Sequence, residues 1–283
     1  MDQLSSEEIC NLYKSELVHL FPLREIENFI KIAFSKLNGW NKIDVSLNKS
    51  VLLNSELTKA HFELIERLKK NEPIQYILKE TVFYELLIQV REGVLIPRCE
   101  TEELVHWVLQ STKQNDNILD IGTGSGCISL ALKHKAKLAN VTGIDKSEIA
   151  LTVAKENAQK LNLDVNFVKH DILESSFEKS KWNIIVSNPP YIPTSDKVQM
   201  HDNVLDYEPQ EALFVSNSEP LIFYKSIAKY ALSHLFPGGL LFFEIHEKMG
   251  SEILELLASL GFKDLSIKKD LQSKDRMIKA RLI

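Results

Sequence analysis

Cysteine is scarce: Cys10, Cys99 and Cys127 are the only three in 283 residues. They form no CxxC pair, offer no zinc spacing and are odd in number, so no disulfide framework is expected and a reducing compartment fits. No apolar run approaches the ~20 residues that span a bilayer. The opening MDQLSSEE is polar and acidic, so no secretory leader is expected either. Positive charge is in short supply as well, with 34 Lys+Arg against 39 Asp+Glu and a net charge of −5. Up to Glu72 there are 10 basic and 11 acidic residues, and beyond it 24 and 28. Neither part is basic, which disfavours a protein that holds long nucleic acid by counterion release, although a local basic face could hide in these totals. What is present is ordinary for a folded chain. Hydrophobic residues make up 44% and charged residues 26%, which excludes disorder and fibres. The length allows one large domain or two smaller ones at ~150 residues each. A soluble, cytoplasmic protein is expected.

Residues 1–72 hold almost no glycine or proline, only Pro22 and Gly39. Their apolar residues recur at helical spacing: Ile9, Leu12, Tyr13 and Leu17, then Ile26, Phe29, Ile30, Ala33 and Leu37. A further helix reads Leu57 to Leu68 and ends in Lys69-Lys70, basic residues suited to a helix C-terminus. A bundle of four or five helices is expected, with no catalytic motif in it. Residues 73–97 change texture, because Thr81–Tyr84 and Leu86–Val90 are β-rich and read as a hairpin linker. From residue 98 to 283 the pattern alternates as in a doubly wound α/β domain. A helix over 101–110 precedes strands at 117–121, 141–145, 165–169, 182–187 and 240–245. Helices are expected at 126–134, at 220–235, at 251–260 and from the second strand to Asn162. Two terminal strands, 264–269 and 276–282, bring the total to about seven.

Asp120-Ile121-Gly122-Thr123-Gly124-Ser125-Gly126 lies where a strand turns into a helix. Glycines there let backbone amides and a helix N-terminus approach a ligand. A dinucleotide fingerprint reads G-x-G-x-x-G; here the third glycine comes one residue early, and the P-loop lysine is absent. The D-x-G-x-G-x-G form resembles the S-adenosylmethionine loop of Rossmann-like methyltransferases. Asp145 closes the next strand, where a carboxylate can accept both ribose hydroxyls. Asp171 follows the third, placed to accept an adenine amine with Ile172 against the ring. The plain alternative is that these aspartates are turn and N-cap residues.

Ser187-Asn188-Pro189-Pro190-Tyr191 follows the fourth strand. The two prolines fix φ and hold the residues before them extended. Neither proline has an N–H, so the wall offers the Asn188 side-chain oxygen and the Pro189 carbonyl, two acceptors for a planar NH₂ group. Tyr191 can add an aromatic face. An amide nitrogen delocalises its lone pair and is a poor nucleophile. Gripping both N–H bonds aims it at a methyl donor and stabilises the charge that develops on it. No metal is called for. The plain alternative is a turn with a diproline stop.

[D/N]PPY occurs in methyltransferases of adenine N6, of exocyclic amines and of glutamine side chains. Three further stretches narrow the choice. Gly93-Val94-Leu95-Ile96-Pro97-Arg98-Cys99-Glu100-Thr101-Glu102, Tyr207-Glu208-Pro209-Gln210-Glu211-Ala212-Leu213 and Lys269-Asp270-Leu271-Gln272-Ser273-Lys274-Asp275-Arg276 resemble "VLIPRPETE", "YEPxxAL" and "kDlxgxdR". These belong to the protein-(glutamine-N5) methyltransferases that modify peptide chain release factors, the PrmC/HemK family. The resemblance covers nearly the whole chain. It implies a seven-stranded Rossmann-like methyltransferase domain (98–283) behind a helical bundle (1–72) that docks substrate and a β-hairpin linker (73–97). It also implies a monomer that uses S-adenosylmethionine, releases S-adenosylhomocysteine and acts on release factors, with neither membrane nor duplex nucleic acid as partner. Cofactor contacts would come from Asp120, Gly122, Thr123, Gly124, Ser125, Gly126, Asp145, Asp171, Ile172 and Asn188. The glutamine of a Gly-Gly-Gln loop would sit on Asn188, Pro189, Pro190 and Tyr191, with Asn188, Pro189 and Tyr191 catalytic. Cys99 replaces a usual proline, His246 a usual glycine after Glu244-Ile245, and Val215-Ser216-Asn217 an expected glycine pair.

Other residues have plainer roles. Glu100, Glu102 and Glu103 read as an acidic first helical turn, with Arg98 and Glu100 alternatively shaping the cofactor pocket. Glu208 either orders the NPPY loop or is solvated. Glu244 and His246 read as a structural pair, and Cys127 as helix packing rather than a nucleophile. Two other functions stay open. One keeps the chemistry and changes the substrate to a ribosomal-protein glutamine or a nucleic-acid adenine, which the net acidity disfavours. The other is a non-catalytic cofactor-binding interaction module, which the intact glycine loop and NPPY oppose.

Overall fold

A computed structural model describes residues 3–174 and 181–283. The chain divides into two units. One runs up to Lys79 and also takes in Asp202–Tyr207; the other comprises Glu80–His201 and Glu208–Ile283. The division therefore falls at Lys79, and the hairpin goes with the second unit.

The first unit contains α1 (Ser6–Leu17), α2 (Leu23–Asn38), α3 (Lys42–Leu47), α4 (Ser55–Leu68) and α5 (Ile74–Leu78). Local chemistry sets their ends. Ser5 and Glu8 form a reciprocal capping box at the start of α1, and Asn41 and Asp44 do the same for α3. Gly39 closes α2 with φ +69, a left-handed conformation that costs glycine little. Ile9, Tyr13 and Leu17 pack with Ile26, Phe29, Ile30, Ala33, Phe34, Leu64, Ile65 and Leu68, the apolar stripes that the spacing marks. Residues 74–78 are helical where the sequence reading has linker. Asp202–Tyr207 completes this unit, and the Tyr207 hydroxyl donates to the Lys70 carbonyl at 2.8 Å.

An ionisable ring sits inside this core. His61 is fully buried, with Nδ1 3.1 Å from the Tyr13 hydroxyl, Nε2 3.0 Å from Asn38 Oδ1 and its ring 4.6 Å from that of Phe34. Nε2–H donates to Asn38, so Nδ1 accepts from Tyr13, and both positions of a neutral ring are satisfied. Burial lowers its pKa to about 4. The unfolded ring binds a proton near pH 6.5 that the folded ring refuses, so stability falls as pH drops from 6.5 towards 4. About 3 kcal/mol should be lost from the helical unit across that window. Hydrogen exchange at α1, α2 and α4 amides should record it, and His61→Gln should flatten the profile. The readout is confined to these amides because Asp120, in the other unit, has a raised pKa and works in the opposite direction.

The second unit begins with β1 (Glu80–Phe83) and β2 (Leu86–Gln89), an antiparallel hairpin. Its two turn residues, Tyr84 and Glu85, have φ +47 and +69, positions that normally call for Asn or Gly. Tertiary contacts hold them. Tyr84 N–H donates to Glu102 at 2.9 Å, Lys135 lies over the Tyr84 ring, and Lys135 pairs with Glu85 at 2.6 Å. There follow α6 (Cys99–Ser111), β3 (Asn117–Ile121), α7 (Cys127–Lys135), β4 (Asn140–Asp145), α8 (Glu148–Leu161), β5 (Asn166–Lys169) and β6 (Trp182–Ser187). The chain then makes β7 (Ile192–Pro193) and passes through α9 (Asp202–Tyr207), the segment counted with the first unit. It continues with α10 (Gln210–Leu213), β8 (Phe214–Val215), α11 (Ile222–His234), β9 (Leu235–Glu244), α12 (Gly250–Ser259), β10 (Lys263–Lys269) and β11 (Asp275–Arg281).

Seven of these strands form one sheet in the order β10-β11-β9-β6-β3-β4-β5. β9, β6, β3, β4 and β5 are parallel, and β11 runs antiparallel to both of its neighbours. β9 begins before the expected Leu240, across a register irregularity against Trp182 and Ile184 that Gly238, at φ +80, helps to turn. Leu119, Ile121, Ile185, Leu241 and Phe243 form a core with Tyr224, Ile227 and Ala231 of α11. From β3 the chain winds outward through β4 and β5, then returns to β6 on the opposite side of β3. A crevice opens at the carboxyl ends of strands where the winding reverses, so the topology puts it beyond Ile121 and Ser187.

Candidate active site

The loop after β3 is shaped by its glycines. Gly122, Gly124 and Gly126 all have positive φ, at +75, +55 and +81. Gly122 and Thr123 amides donate to the Ile144 carbonyl, and the Gly124 amide donates to Asp145 Oδ2 at 2.9 Å. The other oxygen of Asp145 accepts from the Ser147 amide at 2.8 Å, so strand end and loop are locked together. Burial raises the Asp145 pKa against these donors. Asp120 lies beneath the loop, fully buried. Its Oδ2 accepts from the Thr123 and Ser129 hydroxyls, both at 2.7 Å, whereas Oδ1 has no partner among the described residues. Burial pushes its pKa up to about 6. A Cβ on Gly126 would stand 3.1 Å from both Ala154 and Phe167, so this glycine lets α7 approach its neighbours closely.

These elements surround a cavity of about 560 Å³, within the ~300–1,000 Å³ usual for small-molecule sites. Gly122, Thr123, Gly124, Ser125, Asp145, Asp171, Ile172, Asn188, Pro189 and Pro190 all line it. Asp120, Gly126 and Tyr191 do not; the first two brace the loop from behind. Sequence reading missed Phe223 and Ile227 of α11, whose one-face apolar spacing carries no ligand signal, and Val94 and Leu95 ahead of α6.

The far wall is tied down residue by residue. The Ser187 hydroxyl donates to the Ile121 carbonyl at 2.7 Å, joining the ends of β6 and β3. Asn188 Nδ2 donates to Thr101 Oγ1 at 3.2 Å, and Thr101 donates to Glu244 Oε2 at 2.7 Å. The Tyr191 hydroxyl donates to Glu244 Oε1 at 3.1 Å, so its ring is held behind the wall. Burial raises the Glu244 pKa; the Thr101 and Tyr191 donors and the Arg276 charge oppose that shift. Glu244 is therefore not paired with His246, contrary to expectation. The strand ends at Glu244, so alternation no longer relates the two, and His246 instead faces Asp196 at 3.9 Å.

Glu208 is buried rather than solvated. It accepts from the Ile96 amide at 3.1 Å and from Arg98 at 2.6 Å, which ties Glu208 to the Ile96-Pro97-Arg98 stretch. Glu103 accepts from the Leu271 amide at 3.0 Å, and Asp270 holds Arg276 at 3.1 Å, with the Arg276 carbonyl accepting from Ile245.

Residues 27–78 match the family model of the PrmC N-terminal domain, and residues 101–207 that of the Methyltransferase small domain. The chain is 41% identical to the Release factor glutamine methyltransferase of Flavobacterium psychrophilum over 268 residues, 93% of this chain and 94% of the relative. The chain belongs to the release factor glutamine methyltransferase family. The family member from Bacteroides thetaiotaomicron is 36% identical over 94% of this chain and 96% of its own length. The fold matches that of a crystal structure of a methyltransferase from Pyrococcus furiosus, with TM-score 0.53, 19% identity and coverage of 76% and 96%.

As a methyltransferase of this family the chain takes its methyl group from S-adenosylmethionine. The cavity fits such a group. Glycines without side chains face it at the loop, acidic side chains stand at two successive strand ends, and Ile149 and Ile172 give it an apolar wall. Among the described residues no helix is long and apolar enough to cross a membrane, and no cluster of His, Cys, Asp or Glu could hold a metal ion.

Proposed function

We propose that this chain methylates the side-chain amide nitrogen of a glutamine, that of the Gly-Gly-Gln loop of a peptide chain release factor. The observation that carries this reading is that Asn188 and Pro189 line the same cavity as the glycine loop. Gly122, Thr123, Gly124 and Ser125 would take the amino-acid end of S-adenosylmethionine, Asp145 the ribose hydroxyls, and Asp171 with Ile172 the adenine. Bound there, the sulfonium supplies an electrophilic methyl group. Asn188 Oδ1 and the Pro189 carbonyl accept the two N–H bonds of the substrate amide and orient its nitrogen. They also stabilise the positive charge that grows as the new N–C bond forms. The proton leaves afterwards to solvent, when the nitrogen is acidic. The helical unit would dock the release factor, and the protein would act as a single copy in the cytoplasm.

The deciding experiment incubates the purified chain and labelled S-adenosylmethionine with a release factor, its Gln→Ala loop variant, or duplex DNA. Label is expected in the unaltered release factor alone, as one methyl group on that glutamine by mass spectrometry. Label in DNA but not in the release factor would overturn the assignment.

A further inference from the structure

A primary amide can present either end to a ligand, and the two ends do opposite things. With Oδ1 towards the cavity, Asn188 accepts from a substrate NH₂; with Nδ2 towards it, Asn188 repels that group. Nothing in Asn-Pro-Pro-Tyr alone selects between the two rotamers, because they have the same shape.

The selection comes from behind. Glu244 acts as an acceptor at both oxygens: Oε1 takes the Tyr191 hydroxyl, and Oε2 takes the single proton of the Thr101 hydroxyl at 2.7 Å. Thr101 Oγ1 then has lone pairs alone to offer Asn188. The group that can meet those lone pairs at 3.2 Å is Nδ2, a donor. Reversing Asn188 would set Oδ1 against a lone pair and leave a buried acceptor unsatisfied. Thr101 is 2% exposed and Glu244 1%, so water does not substitute for either partner. The Tyr191 hydroxyl fills the other oxygen of Glu244 and keeps that carboxylate from turning. Glu244 closes β9 and Thr101 lies in the first turn of α6, both on rigid elements.

We propose that Thr101, polarised by Glu244, is the positioning residue that fixes the amide of Asn188 with Oδ1 towards the reacting nitrogen. The cavity wall then presents acceptors only, which selects an NH₂ donor as substrate. This rests on the functional reading above. Thr101 also lines the cavity, and in this role it acts through Asn188.

The test pairs Thr101→Val, which removes the hydroxyl at nearly constant shape, with Thr101→Ser, which keeps it. T101V should lower kcat for release-factor methylation by about 10- to 100-fold, as loss of one oriented polar contact does. Its Kd for S-adenosylmethionine should move less than about 3-fold, and T101S should recover most of the rate. Acting through Asn188 has a sharper signature. On an Asn188→Ala background the valine should cost nothing more, whereas an independent structural role would multiply the two losses. Thr101→Ala serves the same comparison if the valine variant does not fold.

A second readout needs no turnover. The Asn188 side-chain NH₂ resonance, identified by its loss in N188A, should be hydrogen-bonded and slow to exchange in the unaltered protein and fast in T101V. If that resonance ignores T101V, or the two losses multiply, the proposal is overturned. If the unaltered chain methylates no release factor, the functional reading fails while the resonance still decides how Asn188 is held.

Discussion

Asn188→Ala should reduce release-factor methylation by at least about 10²–10³-fold and leave S-adenosylmethionine bound within about 10-fold of its normal affinity. The substitution deletes Oδ1, one of the two acceptors assigned to the substrate amide, and leaves the Pro189 carbonyl in place. One N–H bond is then ungripped, and the nitrogen can swing out of line with the methyl group. Donor binding should suffer little, because the glycine loop and Asp145 are held by bonds that do not involve Asn188. The fold should survive, since among the described residues the side-chain bond lost is that to Thr101. Initial rates with labelled donor, alongside calorimetric titration of the donor, separate the two effects. An alanine variant that transfers at the normal rate would show that the amide is gripped elsewhere.

Gly143→Ala should be nearly as damaging by a different route. Gly143 lies in β4, behind the glycine loop, and a Cβ there would stand 2.7 Å from Thr123 Oγ1 and 2.8 and 2.9 Å from the Phe167 ring. A Cβ essentially never comes within 3.0 Å of such atoms, so the neighbours must move. Phe167 has little freedom, because it is buried and its ring tip already fills the space beside Gly126. Thr123 would have to yield, and its hydroxyl is bonded to Asp120 at 2.7 Å. Overpacking of this kind costs about 2 kcal/mol, which lowers Tm by roughly 4–8 °C in a chain of this size. Displacing Thr123 should also weaken donor affinity by about 10-fold or more. Thermal unfolding with and without S-adenosylmethionine measures both. An unchanged Tm would mean that the sheet relaxes around the added methyl group.

The parts of the fold most legible in the sequence were those whose cause is local. Ile9, Tyr13 and Leu17 repeat at helical spacing, and Gly122 to Gly126 mark a strand-to-helix turn, because period and punctuation are written along the chain. The Tyr84-Glu85 turn carries no glycine or asparagine, and its conformation is held by Glu102 and Lys135, which no local pattern reports. The same holds in the site. Asn188 and Asp145 could be singled out because each stands at the carboxyl end of a strand. Thr101 and Glu244 could not, since their link spans 143 positions and either residue alone looks like helix or strand interior. Glu208 shows the hazard most plainly: in sequence it is a loop carboxylate, and burial with Arg98 decides otherwise.

The passage of Asp202–Tyr207 into the helical unit bears on how the protein is made. Synthesis runs from the amino terminus and domains fold as their residues emerge. The five helices before Lys79 are finished early, yet their unit closes only once Tyr207 has been added. By then four of the five parallel strands, β3 to β6, have already been translated, while β9 has not. Until then the helical unit lacks its last segment, which lies beyond β6 in the chain. A chain stalled between Lys79 and Tyr207 would hold neither unit complete, and a gene cut at Lys79 would divide one of them.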